Sequence, residues 1–224
     1  LKPNGEKDFL AKDYEGCPLK GPTSMAINES EQCVFFCDGG YFESTSLSRP
    51  NGSVYLVTLG SEKMIQPILS NCLAYPADIY YDENLCIGYV AETFNNRILR
   101  FIESGDSNGR YQTSVFYTFQ GRIGPTAITS DDLGNIYVAR YEYQNKEGDI
   151  DGIIDVINKD GILVGELIVP KMPEITGLYI PKVDFKENRS KMFLYFTEKN
   201  FSGVQRIKIG NFINEIDRIM DKMY

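Results

Sequence analysis

The sequence has 224 residues, 42% of them hydrophobic, with a formal net charge of -8 and no histidine. Such a length and apolar share suit one good-sized core, while the acidic balance excludes wholesale binding to nucleic acid or anionic membranes, which needs clustered Lys and Arg. Without histidine, a Ser-His-Asp triad, a His general base and His-rich zinc sites are excluded within these residues, leaving carboxylates, Lys, Tyr, Cys or an oxygen-ligated metal for any chemistry.

The first element in chain order is "KDFLAKD", read as a lone outer strand at about 7–13. Four repeats follow, starting near 21, 75, 124 and 174: "GPTSMAINESEQCVFFCD", "YPADIYYDENLCIGYVAE", "GPTAITSDDLGNIYVAR" and "EITGLYI…KMFLYFTE". Their anchors Pro22, Pro76, Pro125 and Ile175 recur at intervals of 54, 49 and 50 residues. Each repeat opens with a short apolar strand and turns at Asn28-Glu29, Asp82-Glu83 or Asp131-Asp132, where Asn and Asp are favoured. An aromatic and β-branched second strand comes next: "CVFFC", "IGYVA", "IYVA" or "FLYFT". Third strands read "GSVYLVT", "RILRFI", "GIIDVIN" and "GVQRIKI", and fourth strands "MIQPILS", "TSVFYTFQ" and "LVGELIV", with none evident in the last repeat. Three or four short strands per unit of this length predict an all-β propeller over 1–210. The tail, 211–224, places Phe212, Ile213, Ile216, Ile219, Met220 and Met223 near helical spacing and predicts a short amphipathic helix packed on its own domain.

Five cysteines without a CxxC pair predict reduced thiols, and Cys33 and Cys37 fall in a strand. Sequons at Asn28, Asn51, Asn188 and Asn200 would matter only in a secretory compartment. No apolar run approaches the ~18 residues of a membrane span, and Leu1 opens no signal peptide. The expected location is therefore cytoplasmic, with no membrane and no nucleic-acid partner.

The stretch "DYEGCPLKGPTSMAI…VFFCDGG…NGSVYLV" resembles the gluconolactonase and regucalcin (senescence marker protein) group, and "YPADIYYDENLCIGYVAETFNNRILRF" looks like the same group and its NHL-repeat relatives. The resemblance runs from about Lys12 to about Ile209. It implies a six-bladed propeller of which four repeats form about two-thirds. The rest of the ring is then expected from another chain or from residues outside these 224. It also implies one divalent cation, Ca or Zn, at the mouth of a central channel, held by an early Glu and by Asn and Asp at the first-strand turns, polarising a lactone carbonyl and activating water. The positions that match are Thr23, Ser24, Ala77 and Thr126, with Thr176 in the fourth repeat. Thr is a weak neutral ligand and Ala is none, whereas a hard cation wants anionic oxygen. The early Glu has no counterpart here. No metal and no cofactor are therefore expected, and Ca or Zn only if a remodelled site persists.

Asp78, one residue along from Ala77, is the carboxylate nearest those positions; the plainer reading is a strand-turn group accepting backbone hydrogen bonds. Asp38, Glu92, Arg140 and Glu198 end the four second strands at one offset. They are read as one layer in which Arg140 bridges carboxylates of adjacent blades, or as a small-ligand site. The acidic loop Tyr141 to Gly152 carries Glu142, Glu147, Asp149 and Asp151 but not the full calcium-loop pattern. Tyr41, Phe42, Tyr141 and Tyr143, in two long loops, are candidate interface residues. Together these readings predict a non-catalytic gluconolactonase-like propeller that acts as a scaffold or protein-binding module. The alternative is a divergent metal-dependent hydrolase of lactonase or esterase type.

Overall fold

The computed structural model describes residues 5, 7, 9–105, 109–121, 124–141, 150–181 and 191–213. The chain divides into two compact units, Leu1–Asn95 with Leu99–Ser114, and Asn96–Ile98 with Val115–Tyr224. Its architecture is all-β, four successive blade-type sheets. The first sheet runs β3 (Pro22–Asn28), β4 (Cys33–Asp38), β5 (Gly52–Thr58) and β6 (Ile65–Leu73), antiparallel and in sequence order. The second holds β7 (Pro76–Asp82), β8 (Ile87–Glu92), β9 (Arg97–Glu103) and β10 (Tyr111–Thr118), again in sequence order. The third follows with β11 (Pro125–Ser130), β12 (Ile136–Arg140), β13 (Gly152–Ile157) and β14 (Leu163–Val169). The fourth has β15 (Ile175–Tyr179), β16 (Phe193–Glu198) and β17 (Gln205–Lys208). Among the described residues the last sheet thus holds three strands.

Ahead of the first sheet, β1 (Asp13–Tyr14) pairs with β2 (Cys17–Pro18) in a sheet of their own. This corrects the reading of 7–13 as an outer strand. Among the described residues there, only Asp13 is in a strand, and it closes a tight hairpin through Glu15 and Gly16, both at positive φ. The Gly16 amide donates to Asp13 Oδ1 at 3.1 Å.

The strand pattern follows from burial on both faces. All six residues of β4 are buried, as are five of six in β8 and the first four of β12, so their sequences are unbroken apolar runs rather than alternations. The predicted turns form as side-chain-stapled loops. Asn28 Oδ1 accepts the Glu31 amide, Asp82 Oδ1 those of Asn84 and Leu85, and Asp131 Oδ1 those of Leu133 and Asn135.

In the first unit Phe35 stacks on Tyr81 at 4.6 Å and meets Phe101 at 5.3 Å, with Ile79, Val90 and Leu99 around them. Gly88 makes this possible: a Cβ there would meet the Phe101 ring at 1.9 Å. In the second unit Tyr137, Ile154 and Val156 pack with Ile175, Leu194 and Phe196, closed by Ile209 and Ile213. Residues 210–213 begin the predicted terminal helix, with the Ile213 amide donating to the Ile209 carbonyl at 3.0 Å. Its remaining positions, including Ile216, Ile219, Met220 and Met223, lie outside the described residues. Among the described residues no helix is long and apolar enough to cross a membrane.

All five cysteines are free thiols, Cys33 and Cys37 buried and Cys17, Cys72 and Cys86 exposed. Burial, helped by Glu31, raises the Cys33 thiol to about 11. Burial followed by Asp78 and Asp38 pushes Cys37 well above its ordinary value. A folded-state pKa above the unfolded one gives stability that is whole below the unfolded pKa and is lost as pH rises. A thiol-labelling time course in native buffer is therefore expected to modify Cys17, Cys72 and Cys86 promptly and Cys33 and Cys37 only after denaturant. The unfolding midpoint is expected to fall as pH climbs from about 9 towards 11.

Candidate functional site

Every blade begins with the same irregularity. Pro22 pairs with Asp38, Pro76 with Glu92, Pro125 with Arg140 and Ile175 with Glu198, and in each the register then slips by one residue. The residue skipped is Thr23, Ala77, Thr126 or Thr176, so the positions aligned with metal ligands are β-bulges. A bulged residue lacks a cross-strand partner and its side chain is re-aimed. Here the hydroxyls are turned onto a neighbouring sheet. Thr23 Oγ1 donates to the Pro76 carbonyl at 2.7 Å, and Thr126 Oγ1 donates to the Ile175 carbonyl at 2.8 Å. In both units the bulged Thr of one blade therefore grips the anchor of the next. The fit is close: a Cβ on Gly39 would meet Thr23 Cγ2 at 2.9 Å and the Pro76 carbonyl oxygen at 3.0 Å.

Ser24 and Asp78 complete the junction in the first unit. The Ser24 hydroxyl donates to Asp78 Oδ1, which also accepts the Ile79 amide at 2.9 Å. Asp78 thus accepts one hydroxyl and one backbone amide at this junction.

Asp38, Glu92, Arg140 and Glu198 each stand opposite the anchor of their own first strand. Asp38, only 2% exposed, accepts the amides of Lys20 at 3.0 Å and Gly21 at 2.7 Å. Glu92, fully buried, accepts the Ala74 amide at 2.7 Å and Asn95 Nδ2 at 2.6 Å. Each satisfies the chain just before its own first strand, where no ladder reaches the N–H groups. Glu198 serves the turn after it, accepting the Asn200 amide at 2.7 Å. In the third blade Arg140 inverts the polarity and donates from Nη1 to the Gln120 carbonyl at 3.1 Å.

Arg140 also pairs through Nε with Asp155 at 2.6 Å and through Nη2 with Glu166 at 3.5 Å. Both carboxylates belong to its own sheet, on β13 and β14. These two carboxylate partners of Arg140 thus lie within one blade. Each of the four thus meets groups of its own unit.

The loop candidates separate. Tyr41 is 76% exposed. Phe42 packs on Tyr75 at 4.9 Å and Phe94 at 4.6 Å. Tyr141 is half-buried and donates to Glu174 Oε1 at 3.1 Å, while Lys199 Nζ pairs with Glu174 Oε2 at 2.7 Å. Tyr143, Glu142, Glu147 and Asp149 lie outside the described residues, and Asp151 accepts the Lys171 amide at 2.9 Å.

The aromatic group of Phe42, Tyr75 and Phe94 escaped the sequence reading. Its signal was present: Tyr75 stands where the first and third repeats have Gly21 and Gly124, and it adopts φ +60°. That conformation is uncommon for a bulky residue and costs on the order of 1–3 kcal/mol.

These residues do not fit a divalent cation. Ala77 supplies no donor, and Thr23 and Thr126 supply neutral hydroxyls already oriented by carbonyls. Hard cations need several oxygen ligands, some of them anionic, to offset dehydration. Among the described residues no three His, Cys, Asp or Glu side chains converge as a metal-holding group.

Comparison with known proteins gives a consistent kinship. No protein-family model matches the chain. Lactonase drp35 of Staphylococcus haemolyticus (strain JCSC1435) is 27% identical over 150 residues, 64% of this chain and 43% of that protein. The chain therefore spans less than half the length of that relative. A solved structure assigned as a gluconolactonase superposes with a TM-score of 0.64 at 17% identity, covering 92% of this chain and 67% of that one. Regucalcin, a calcium-binding protein from Agrobacterium tumefaciens strain C58, gives 0.54 at 19% identity, covering 77% and 52%. The resemblance read from the sequence is borne out, and the solved structures establish the fold.

Two substitutions test the junction by chemical unfolding. Thr23→Val keeps the shape and orphans the Pro76 carbonyl, with an expected loss of about 1–2 kcal/mol. Gly39→Ala wedges the same contact and is expected to cost about 1–3 kcal/mol. A loss below about 0.5 kcal/mol in both would mean that the bulge does not hold the blades.

Proposed function

We propose that this chain is a non-catalytic propeller of gluconolactonase type that works as a scaffold or protein-binding module. The observation that carries this reading is the fate of the ligand positions. The Thr23 and Thr126 hydroxyls are donated to the carbonyls of Pro76 and Ile175, and Ala77 has nothing to donate or coordinate with. Lactone hydrolysis by a bound cation needs anionic oxygens to hold the ion and a free base to take a proton from water. Here the carboxylates at the ends of β4 and β8 are buried and accept hydrogen bonds from their own blades. With that site committed to adhesion, recognition falls to exposed faces and loops, where propellers place variable function.

A second reading, a divergent metal-dependent lactonase or esterase, draws on the similarity to Lactonase drp35 and on Asp78 beside the bulged Ala77. It would use Ca or Zn through a remodelled site.

Thermal unfolding of the metal-stripped chain, titrated with Ca, Zn, Mg and Mn, separates the two. A cation that binds only the native state at a hundredfold over its Kd adds about 2.7 kcal/mol. The scaffold reading predicts no saturable rise in midpoint with any of the four and no turnover of lactone or aryl ester substrates. A saturable rise that Asp78→Asn abolishes, together with hydrolysis, would replace it with the second reading.

A further inference from the structure

Tyr75 is held in a backbone shape that its blade does not require. The residue before the anchor is Gly21, Tyr75, Gly124 or Glu174 in the four repeats. Each carbonyl accepts an amide from just beyond its own second strand: Gly40 at 3.1 Å, Thr93 at 3.0 Å, Tyr141 at 3.3 Å and Lys199 at 3.0 Å. Of the two residues with side chains, Tyr75 lies at φ +60° and Glu174 does not take a positive φ. The segment is pinned, since the Ala74 amide donates to Glu92 Oε1 at 2.7 Å and the Ala74 carbonyl accepts the Phe94 amide at 3.2 Å. Because the repeat does not impose this conformation, its strain serves the placement of the ring.

The ring joins an open aromatic group. Tyr75 meets Phe42 at 4.9 Å with the rings at 80°, and Phe94 lies 4.6 Å from Phe42 and 6.0 Å from Tyr75. All three belong to the first unit. They stand on the connections of two sheets that each hold four strands, within the sequence rather than at either end. Phe42 is 41% exposed, and Tyr75 and Phe94 are half-buried, so the group reaches solvent.

The electrostatics of the group are one-sided. Glu43 follows Phe42 in a single helical turn, Phe42–Ser44, and is exposed. Burial, followed by the Glu43 carboxylate, raises the Tyr75 phenol above its ordinary value, so the carboxylate acts on the ring. Among the described residues no cation pairs with Glu43. None lies over Phe42, Tyr75 or Phe94 either, whereas Phe9, Phe119 and Phe193 each have a Lys or Arg over the ring. Aromatic faces attract cations, guanidinium stacks on them, and a neighbouring carboxylate accepts its N–H groups. The net charge of -8 steers a basic partner towards the chain.

We infer that Phe42, Tyr75, Phe94 and Glu43 form a recognition site for an arginine side chain of a partner protein, the guanidinium stacking on the rings and donating to the Glu43 carboxylate. The inference deepens the protein-binding reading and rests on it. An aliphatic partner residue would leave Glu43 unanswered, and an acidic one would be repelled. Lysine has no planar face to stack.

An NMR titration of the 224-residue chain with N-acetyl-arginine amide tests this, with the uncharged, similarly shaped N-acetyl-citrulline amide as comparison. The expected result is saturable shifts of the Phe42, Tyr75 and Phe94 amides with a Kd of about millimolar, and none with citrulline. Glu43→Gln is expected to weaken binding about twofold or more. Tyr75→Gly is expected to weaken it about threefold or more; glycine takes a positive φ freely, so the ring is lost and the backbone kept. Circular dichroism confirms folding, and Glu43→Gln, at an exposed residue, decides the matter should Tyr75→Gly unfold. No saturable shift with arginine, equal shifts with citrulline, or affinity unchanged in either folded variant overturns the inference. The metal titration judges the scaffold reading independently, so a silent arginine titration beside a flat metal titration would overturn this site and leave that reading standing.

Discussion

A β-bulge at the head of each first strand decides how the blades adhere. In an unbroken antiparallel ladder, successive side chains alternate strictly and the residue after the anchor has a fixed face. Inserting one unpaired residue frees its side chain from that alternation. In this chain the freed residue is a Thr in three blades, and in both units its short, stiff side chain reaches the carbonyl of the next anchor. One hydroxyl therefore joins two sheets at the strand where they approach most closely.

The rest of the junction follows from that placement. Where the chain arrives at the anchor it has left the preceding ladder, and its amides need acceptors inside a dry region. Asp38 and Glu92 supply them from the residue opposite the anchor. In the third blade the local need is reversed, a carbonyl at Gln120 wants a donor, and Arg140 answers it while Asp155 and Glu166 balance the guanidinium. Asp38, Glu92 and Arg140 thus each meet a backbone group of the chain that arrives at their own blade.

Much of the fold was legible because the bulge repeats. The anchor spacing, the Asn and Asp turns and the buried second strands all leave marks in residue type. The aligned positions Thr23, Ala77 and Thr126 were also legible as one recurring place in the repeat. Their present use was not, because the acceptors are backbone carbonyls, Pro76 and Ile175, which carry no sequence signature. The carboxylates that Arg140 meets were hidden for a related reason: Asp155 sits one strand away and Glu166 two strands away in the same sheet, and spacing along the chain cannot separate that from a neighbour in the next blade. The leading hairpin was missed because a two-residue strand has no periodicity to read, although "DYEGC" holds the Glu15-Gly16 turn that forms it. Tyr75 was overlooked as an ordinary aromatic, when its place in a Gly position of the repeat was the informative fact.

The most direct test of this account is a crystal structure of the purified chain grown in millimolar zinc and calcium, with anomalous data at the zinc edge. The account predicts Thr23 Oγ1 and Thr126 Oγ1 within hydrogen-bonding distance of the Pro76 and Ile175 carbonyls, near the 2.7 and 2.8 Å described here, and no cation bound by either hydroxyl. An anomalous peak with a Thr hydroxyl or Asp78 turned onto it and the carbonyl contact broken would contradict it.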